Sequence, residues 1–227
     1  AGRDNYNYHK GMNGIIQELT GLLKTKNIGT DSDRALLLDF QATLETKPEK
    51  AIKLEKDALA QIETITADNA RLVSNLHANL GGLYRMNGHP DLAREHMEKS
   101  ISLLDQFNLL HINDSIPQIA NYAMFLTEQQ EPERGISELQ KLSGIIKEYH
   151  SDDCLDYAKV QETLGTIYLM TANLPQAKTH FKRAFKIYEK IWADEPEMIE
   201  AKYQEIQELY PQIGFCIGKN LSGLLTK

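Results

Sequence analysis

The sequence predicts an all-α array of stacked helical hairpins, and three observations carry that prediction. Residues of one kind return every 42 positions without insertion or deletion: Ala51, Ala93, Gly135 and Ala177 in one register, Leu38, Leu80, Tyr122 and Leu164 in another. A fixed period between about 20 and 50 residues marks a repeat array, in which each unit buries its apolar face against its neighbours. Apolar residues recur at helical spacing, and strict apolar/polar alternation is absent, so strands are not expected. Pro48, Pro90 and Pro132 are also spaced by 42, and Pro175 falls one residue later. Proline suits the first turn of a helix, where its missing N–H has no partner to lose. In a helix interior it costs about 3 kcal/mol.

Each element then follows in order. Residues 6–26 form one helix through Ile15, Ile16, Leu19, Leu22 and Leu23. By phase it is the second helix of a unit whose first helix is missing. Repeat 1 spans 32–66 and is entered through the helix-start residues Thr30, Asp31 and Ser32. Repeat 2 spans 70–108: Leu76, Leu80, Leu83 and Tyr84, a break at Asn87-Gly88-His89-Pro90, then Leu92, Met97, Ile101 and Leu104. Repeat 3 spans 115–149 and opens on Asn113-Asp114-Ser115. Repeat 4 spans 155–192, opens on Ser151-Asp152-Asp153, and copies repeat 2 with Val160, Leu164, Ile167, Tyr168, Ala177, Phe181, Ala184 and Ile187. A degenerate capping repeat fills 197–227, with Met198, Tyr203, Ile206 and Tyr210 before the stop at Pro211. Gly81, Ala123 and Gly165 on first helices, with Ala93, Gly135 and Ala177 on second helices, let the backbones approach closely. A helical glycine costs roughly 0.5–1 kcal/mol, so its return at one phase points to packing.

Composition narrows the function. The net charge is −7, which disfavours nucleic acid and anionic membrane surfaces as partners. No run approaches the roughly 18 apolar residues that span a bilayer. The N-terminus is followed by no apolar stretch and lacks a starting Met, so a cut-out or processed chain is expected. Cys154 and Cys216 lie 62 positions apart with no CxxC, which suits small buried hydrophobes in a reducing, cytoplasmic compartment. Seven histidines show no metal-ligand spacing, and His96 and His180 share a repeat phase 84 residues apart. Acidic clusters such as Asp152-Asp153-Asp156 fit helix starts and solvated faces. No phosphate loop, dinucleotide fingerprint or nucleophile elbow is present, so no catalysis, cofactor or metal is expected.

The units resemble the tetratricopeptide repeat. Repeat 2 shows Leu80, Gly81, Tyr84, Gly88, Ala93, Met97 and Ser100; repeat 4 shows Leu164, Gly165, Tyr168, Ala177, Phe181 and Ala184. Repeat 3 is looser, with Tyr122, Ala123, Leu126, Gly135, Leu139 and Leu142. Repeat 1 departs most, with Asp39 and Ala42 where a small residue and an aromatic are usual, and Glu55 at the bulky position. The 42-residue spacing resembles the long-repeat subgroup of kinesin light chains. The resemblance covers roughly Ser32 to Tyr210. It implies a right-handed α-α superhelix, here of about four full hairpins plus flanking half-repeats, whose concave wall is lined by first helices.

That resemblance also picks out a line of residues. In related repeats the phase of Asn79 and Asn121 faces the groove and bonds the backbone of an extended ligand; Thr163 holds it in repeat 4. An amide offers both donor and acceptor to a peptide bond. Asn75 and Lys159 lie four residues earlier, Gly82, Met124 and Thr166 three later, and Met86 adds adaptable apolar contact. The expected function is a protein-interaction scaffold that holds a protein or peptide segment in the groove. The alternative is a peptide-sensing regulatory domain of a larger signalling or transcriptional protein. A homodimer through the open N-terminal edge is a further expectation.

Overall fold

A computed structural model describes residues 11–12, 14–22 and 29–209. Among these, every regular element is helical. The chain divides into two compact units at Leu110 and His111.

The first unit holds α1 (residues 11–12 and 14–22), α2 (Asp31–Leu44), α3 (Pro48–Leu59), α4 (Ala70–Met86) and α5 (Pro90–Gln106). The second holds α6 (Ser115–Glu128), α7 (Pro132–Tyr149), α8 (Leu155–Met170), α9 (Leu174–Ile191) and α10 (Pro196–Leu209). Inside each unit hairpin packs on hairpin: α2–α3 and α4–α5 in the first, α6–α7 and α8–α9 in the second, with α10 on α9. First helix meets first helix as well, α2 on α4 and α6 on α8. Of the expected 6–26 helix, 6–10, 13 and 23–26 lie outside the described residues. So do Tyr210, Pro211, Cys216 and the rest of the C-terminal half-repeat.

Local chemistry explains the boundaries. Pro48, Pro90 and Pro132 open α3, α5 and α7, and Pro175 is the second residue of α9. Thr30 and Asp33 form a reciprocal capping box on α2: Thr30 N–H donates to Asp33 Oδ2 at 2.7 Å and Asp33 N–H donates to Thr30 Oγ1 at 3.2 Å. The hairpin turns of repeats 2, 3 and 4 close identically. Gly88, Gln130 and Ala172 share one phase and have φ of 74°, 64° and 58°. After each, the next N–H reaches back to a carbonyl inside the helix: His89 to Tyr84 at 2.9 Å, Glu131 to Leu126 at 2.8 Å, Asn173 to Tyr168 at 2.7 Å. This is the Schellman closure, for which glycine is the unstrained choice. One start differs from expectation. Asp153 does not cap α8; it pairs with Lys190, and the cap is Cys154, whose Sγ accepts from Tyr157 N–H at 3.4 Å. Asp114 makes no side-chain cap on α6 either.

The small residues sit where the helices come closest. A Cβ added to Gly81 would lie 2.6 Å from Met97 Cγ, and one on Gly165 2.8 Å from Phe181 Cδ2. A Cβ on Gly135 would lie 2.6 Å from the backbone oxygen of Ala123. Around these contacts the cores close: Leu76, Leu80 and Leu104 in the first unit, Phe125, Leu139, Leu164, Phe181 and Phe185 in the second.

Candidate functional site

The first helices of each unit leave one line of side chains outward, and the expected groove residues fall on or beside it. In the first unit, Asn75 is half-buried, Gly82 faces open space, and Met86 is 81% exposed. In the second, Asn121 and Lys159 are exposed, Met124 and Thr163 half-buried. Lys159 pairs with Asp156 at 3.8 Å on its own helix. Thr163 Oγ1 donates to Lys159 O at 3.0 Å and Thr166 Oγ1 to Glu162 O at 3.1 Å. Thr166 is buried, so the line narrows there to Thr163 and Lys159. Helical threonines commonly satisfy themselves on the carbonyl four residues back, which leaves less for a ligand.

Asn79 and Asn121 share a phase but not a role. Asn79 is exposed like Asn121, but its amide is occupied: its Nδ2 donates to Asp39 Oδ1 at 2.8 Å and to Glu55 Oε1 at 3.2 Å. Asp39 stands at the phase of Gly81, Ala123 and Gly165; Glu55 stands at the phase of Met97, Leu139 and Phe181. The close pair that packs by volume elsewhere is here a pair of carboxyls. Glu55 is 2% exposed, and its Oε2 is buried without a hydrogen-bond partner. Burial, then the charge of Asp39 beside it, pushes the Glu55 carboxyl up to about 9. Burial raises Asp39 as well, against the hydrogen bonds from Glu55 and Asn79. At neutral pH the pair carries one proton, because a second like charge beside half-buried Asp39, on a carboxyl that is itself fully buried, is costly. The departures at positions 39 and 55 were visible in the sequence; reading them at the phase of a known contact pair would have joined them.

Among the described histidines, two repeat an arrangement. His96 stacks on Tyr84 with centroids 5.4 Å apart, and His180 stacks on Tyr168 at 5.2 Å. His180 Nδ1 donates to Gln161 Oε1 at 2.9 Å. In the same place His96 Nδ1 meets His77 Nδ1 at 2.8 Å. Burial, then His96, lowers His77 to about 4; burial also lowers His96 and His180. Two ring nitrogens at that distance share one hydrogen, one donating and the other accepting, and the burial that lowers both rings favours the neutral pair. Tyr188 OH donates to Glu162 Oε2 at 2.6 Å, and Lys202 of α10 reaches Glu162 Oε1 at 3.4 Å. That network fastens α10 and α9 to α8. Among the described residues no three His, Cys, Asp or Glu side chains gather as a metal would need. No described helix is long and apolar enough to cross a membrane.

Residues 115–190 match the family model described as tetratricopeptide repeat. BtubC (BKLC) from P. vanneervenii has the same fold at a TM-score of 0.74 and 17% identity, over 96% of this chain and 89% of that one. A putative kinesin light chain from Podosopora anserina with nearly identical TPR-like repeats matches at 0.62 and 16% identity, over 82% and 92%. MamA matches at 0.55 and 15%, over 82% and 94%. No curated protein matches the sequence. At such identities the likeness carries the fold alone.

Proposed function

We propose that this chain, a tetratricopeptide repeat protein, holds a segment of another protein on the outward face of its first helices and performs no catalysis. The family is in general an interaction scaffold. The observation that carries the reading is Met86, a large apolar side chain 81% exposed on the line that also presents Asn75 and the open backbone at Gly82. An exposed thioether beside amides suits a partner whose backbone and apolar side chains are read together. In the second unit Asn121, Met124 and Lys159 supply the same mixture. Asn79 supports this face by tying α4 to Asp39 and Glu55.

The test is affinity capture with the whole chain, comparing wild type with Met86→Glu and with Asn121→Ala. Both side chains are exposed, so helicity and melting stay unchanged while partner recovery drops severalfold. Equal recovery by all three proteins would refute this face as the site. A second reading, self-association through the N-terminal edge, is supported by Ile15, Leu19, Leu36 and Phe40, all exposed on α1 and α2. Light scattering that shows a monomer at high concentration would remove it.

A further inference from the structure

The charge of this chain is unevenly placed. Against a net −7, α9 carries Lys178, Lys182, Arg183, Lys186 and Lys190 with Glu189 as its one acid, a balance of 5 − 1 = +4 in 18 residues. At about 100° per residue the five cations fall within an arc of about 140°, and they extend along roughly 18 Å of the helix. All five are exposed, while the opposite face buries Ala177, Phe181, Ala184, Phe185 and Tyr188. A charge run is usually just a solvated face, so further features must separate this one from that.

Two features do. Lys147 of α7 and Arg183 of α9 both stand over the ring of buried Tyr157 on α8, 5.3 and 5.4 Å from its centroid. The ring draws both cations together. Among the described residues neither of them, nor Lys186, has a carboxylate within ion-pair distance. Beside them lies an open cavity of about 330 Å³ lined by Asp152, Asp153, Arg183, Lys186, Ile187 and Lys190. One carboxylate of its own wall is already paired with a cation of the ribbon: Asp153 binds Lys190, whose hydrogen bond holds that carboxylate below the usual range. One cation of the ribbon is thus answered by the protein's own carboxylate and the others are not.

We propose that the outward ribbon of α9 is a second docking surface, which takes an acidic segment of a partner protein with Asp or Glu at alternate positions. Spacing selects an extended peptide. Lys178, Lys182, Lys186 and Lys190 are four residues apart, about 6 Å along the helix. Alternate side chains of an extended strand are about 6.6 Å apart on one face. Successive carboxylates therefore meet successive lysines, and the cavity at Arg183 and Lys186 receives the end of the segment. The remaining negative charge of the chain works against a flat anionic membrane. The surface lies on second helices, apart from the first-helix face proposed above, and stands independently of it.

The experiment is fluorescence anisotropy of a labelled twelve-residue peptide of alternating Glu and Ser against the whole chain. A peptide of alternating Gln and Ser is the control. Binding is expected for the first peptide only, weakening at least tenfold between 50 and 300 mM salt as the charges are screened. Lys182→Gln with Lys186→Gln lowers affinity about tenfold at 50 mM salt. Arg183→Gln, which touches only the cavity end, lowers it severalfold, and Asn121→Ala leaves it unchanged. Circular dichroism confirms that the exposed variants are folded. Equal affinity for both peptides overturns the proposal, as does indifference to the α9 variants. Tighter binding of a single-stranded oligonucleotide, or of vesicles containing phosphatidylserine, overturns the assignment to a protein partner. Loss through Asn121→Ala instead would place the peptide on the first-helix face and sink the α9 site alone.

Discussion

Glu55→Gln tests the carboxyl pair directly. A glutamine fits the same space: its Oε1 accepts from Asn79 and its amide donates to Asp39, so the hydrogen bonds survive while the titration disappears. The sign follows from linkage. Glu55 is raised from 4.5 to about 9 in the fold. Below about pH 4.5 it is protonated in both folded and unfolded chains and costs nothing. As pH rises, the unfolded chain ionises and the folded one holds its proton, so stability falls through the window from 4.5 to 9. The slope approaches 1.4 kcal/mol per pH unit, which accumulates to about 3 kcal/mol at pH 7. Glu55→Gln escapes that loss. It should match wild type at pH 4.5 and exceed it at pH 7, with its urea midpoint higher by about 1–2 M for an m-value of about 2 kcal/mol/M. The assay is urea unfolding by circular dichroism at half-unit steps from pH 4.5 to 8.5. Parallel curves for the two proteins, or a glutamine variant weaker at every pH, would refute the protonated Glu55.

Two further predictions concern packing and the histidine pair. Gly135→Ala drives a Cβ to 2.6 Å from the Ala123 carbonyl and should destabilise by about 2 kcal/mol or more, because backbone cannot step aside. Gly144→Ala, on the same helix with nothing within 4 Å, should stabilise by about 0.5–1 kcal/mol; thermal melts of the two should move in opposite directions. His77→Gln copies the Gln161–His180 arrangement into repeat 2. Burial lowers His77 from 6.5 to about 4, so wild type is at full strength above pH 6.5 and loses stability as pH falls toward 4. The glutamine variant should equal wild type at pH 7.5 and surpass it at pH 5; an unaltered pH profile in urea unfolding would count against the neutral pair.

Much of the fold was legible because its causes are periodic. Proline phase located the starts of the second helices, and the small residues located the close contacts that the added-Cβ distances bear out. Less legible were features decided by single atoms. The threonine hydroxyls of Thr163 and Thr166 turn to their own helix, which no spacing announces. Cys154 caps α8 in place of the neighbouring aspartates because Asp153 is drawn off by Lys190, 37 residues away. The ribbon on α9 was visible as a count of charges per segment, but the chain's negative total hid it.

The two asparagines show why repeat phase assigns position and not role. Asn79 and Asn121 hold the same place on α4 and α6. One repeat before Asn121 the corresponding positions hold Gly81 and Met97, which offer no carboxyl to an amide, and Asn121 is exposed. Repeat 1 places Asp39 and Glu55 at the positions one repeat before Asn79, and the buried Glu55 carboxyl needs a donor. Asn79 supplies it with both bonds from Nδ2, leaving only its carbonyl for a partner. Replacing the pair by its repeat-2 counterparts, Asp39→Gly with Glu55→Met, would remove that demand. The amide of Asn79, already exposed, would then be released from both bonds, and the two asparagines would become equivalent in role as they already are in phase.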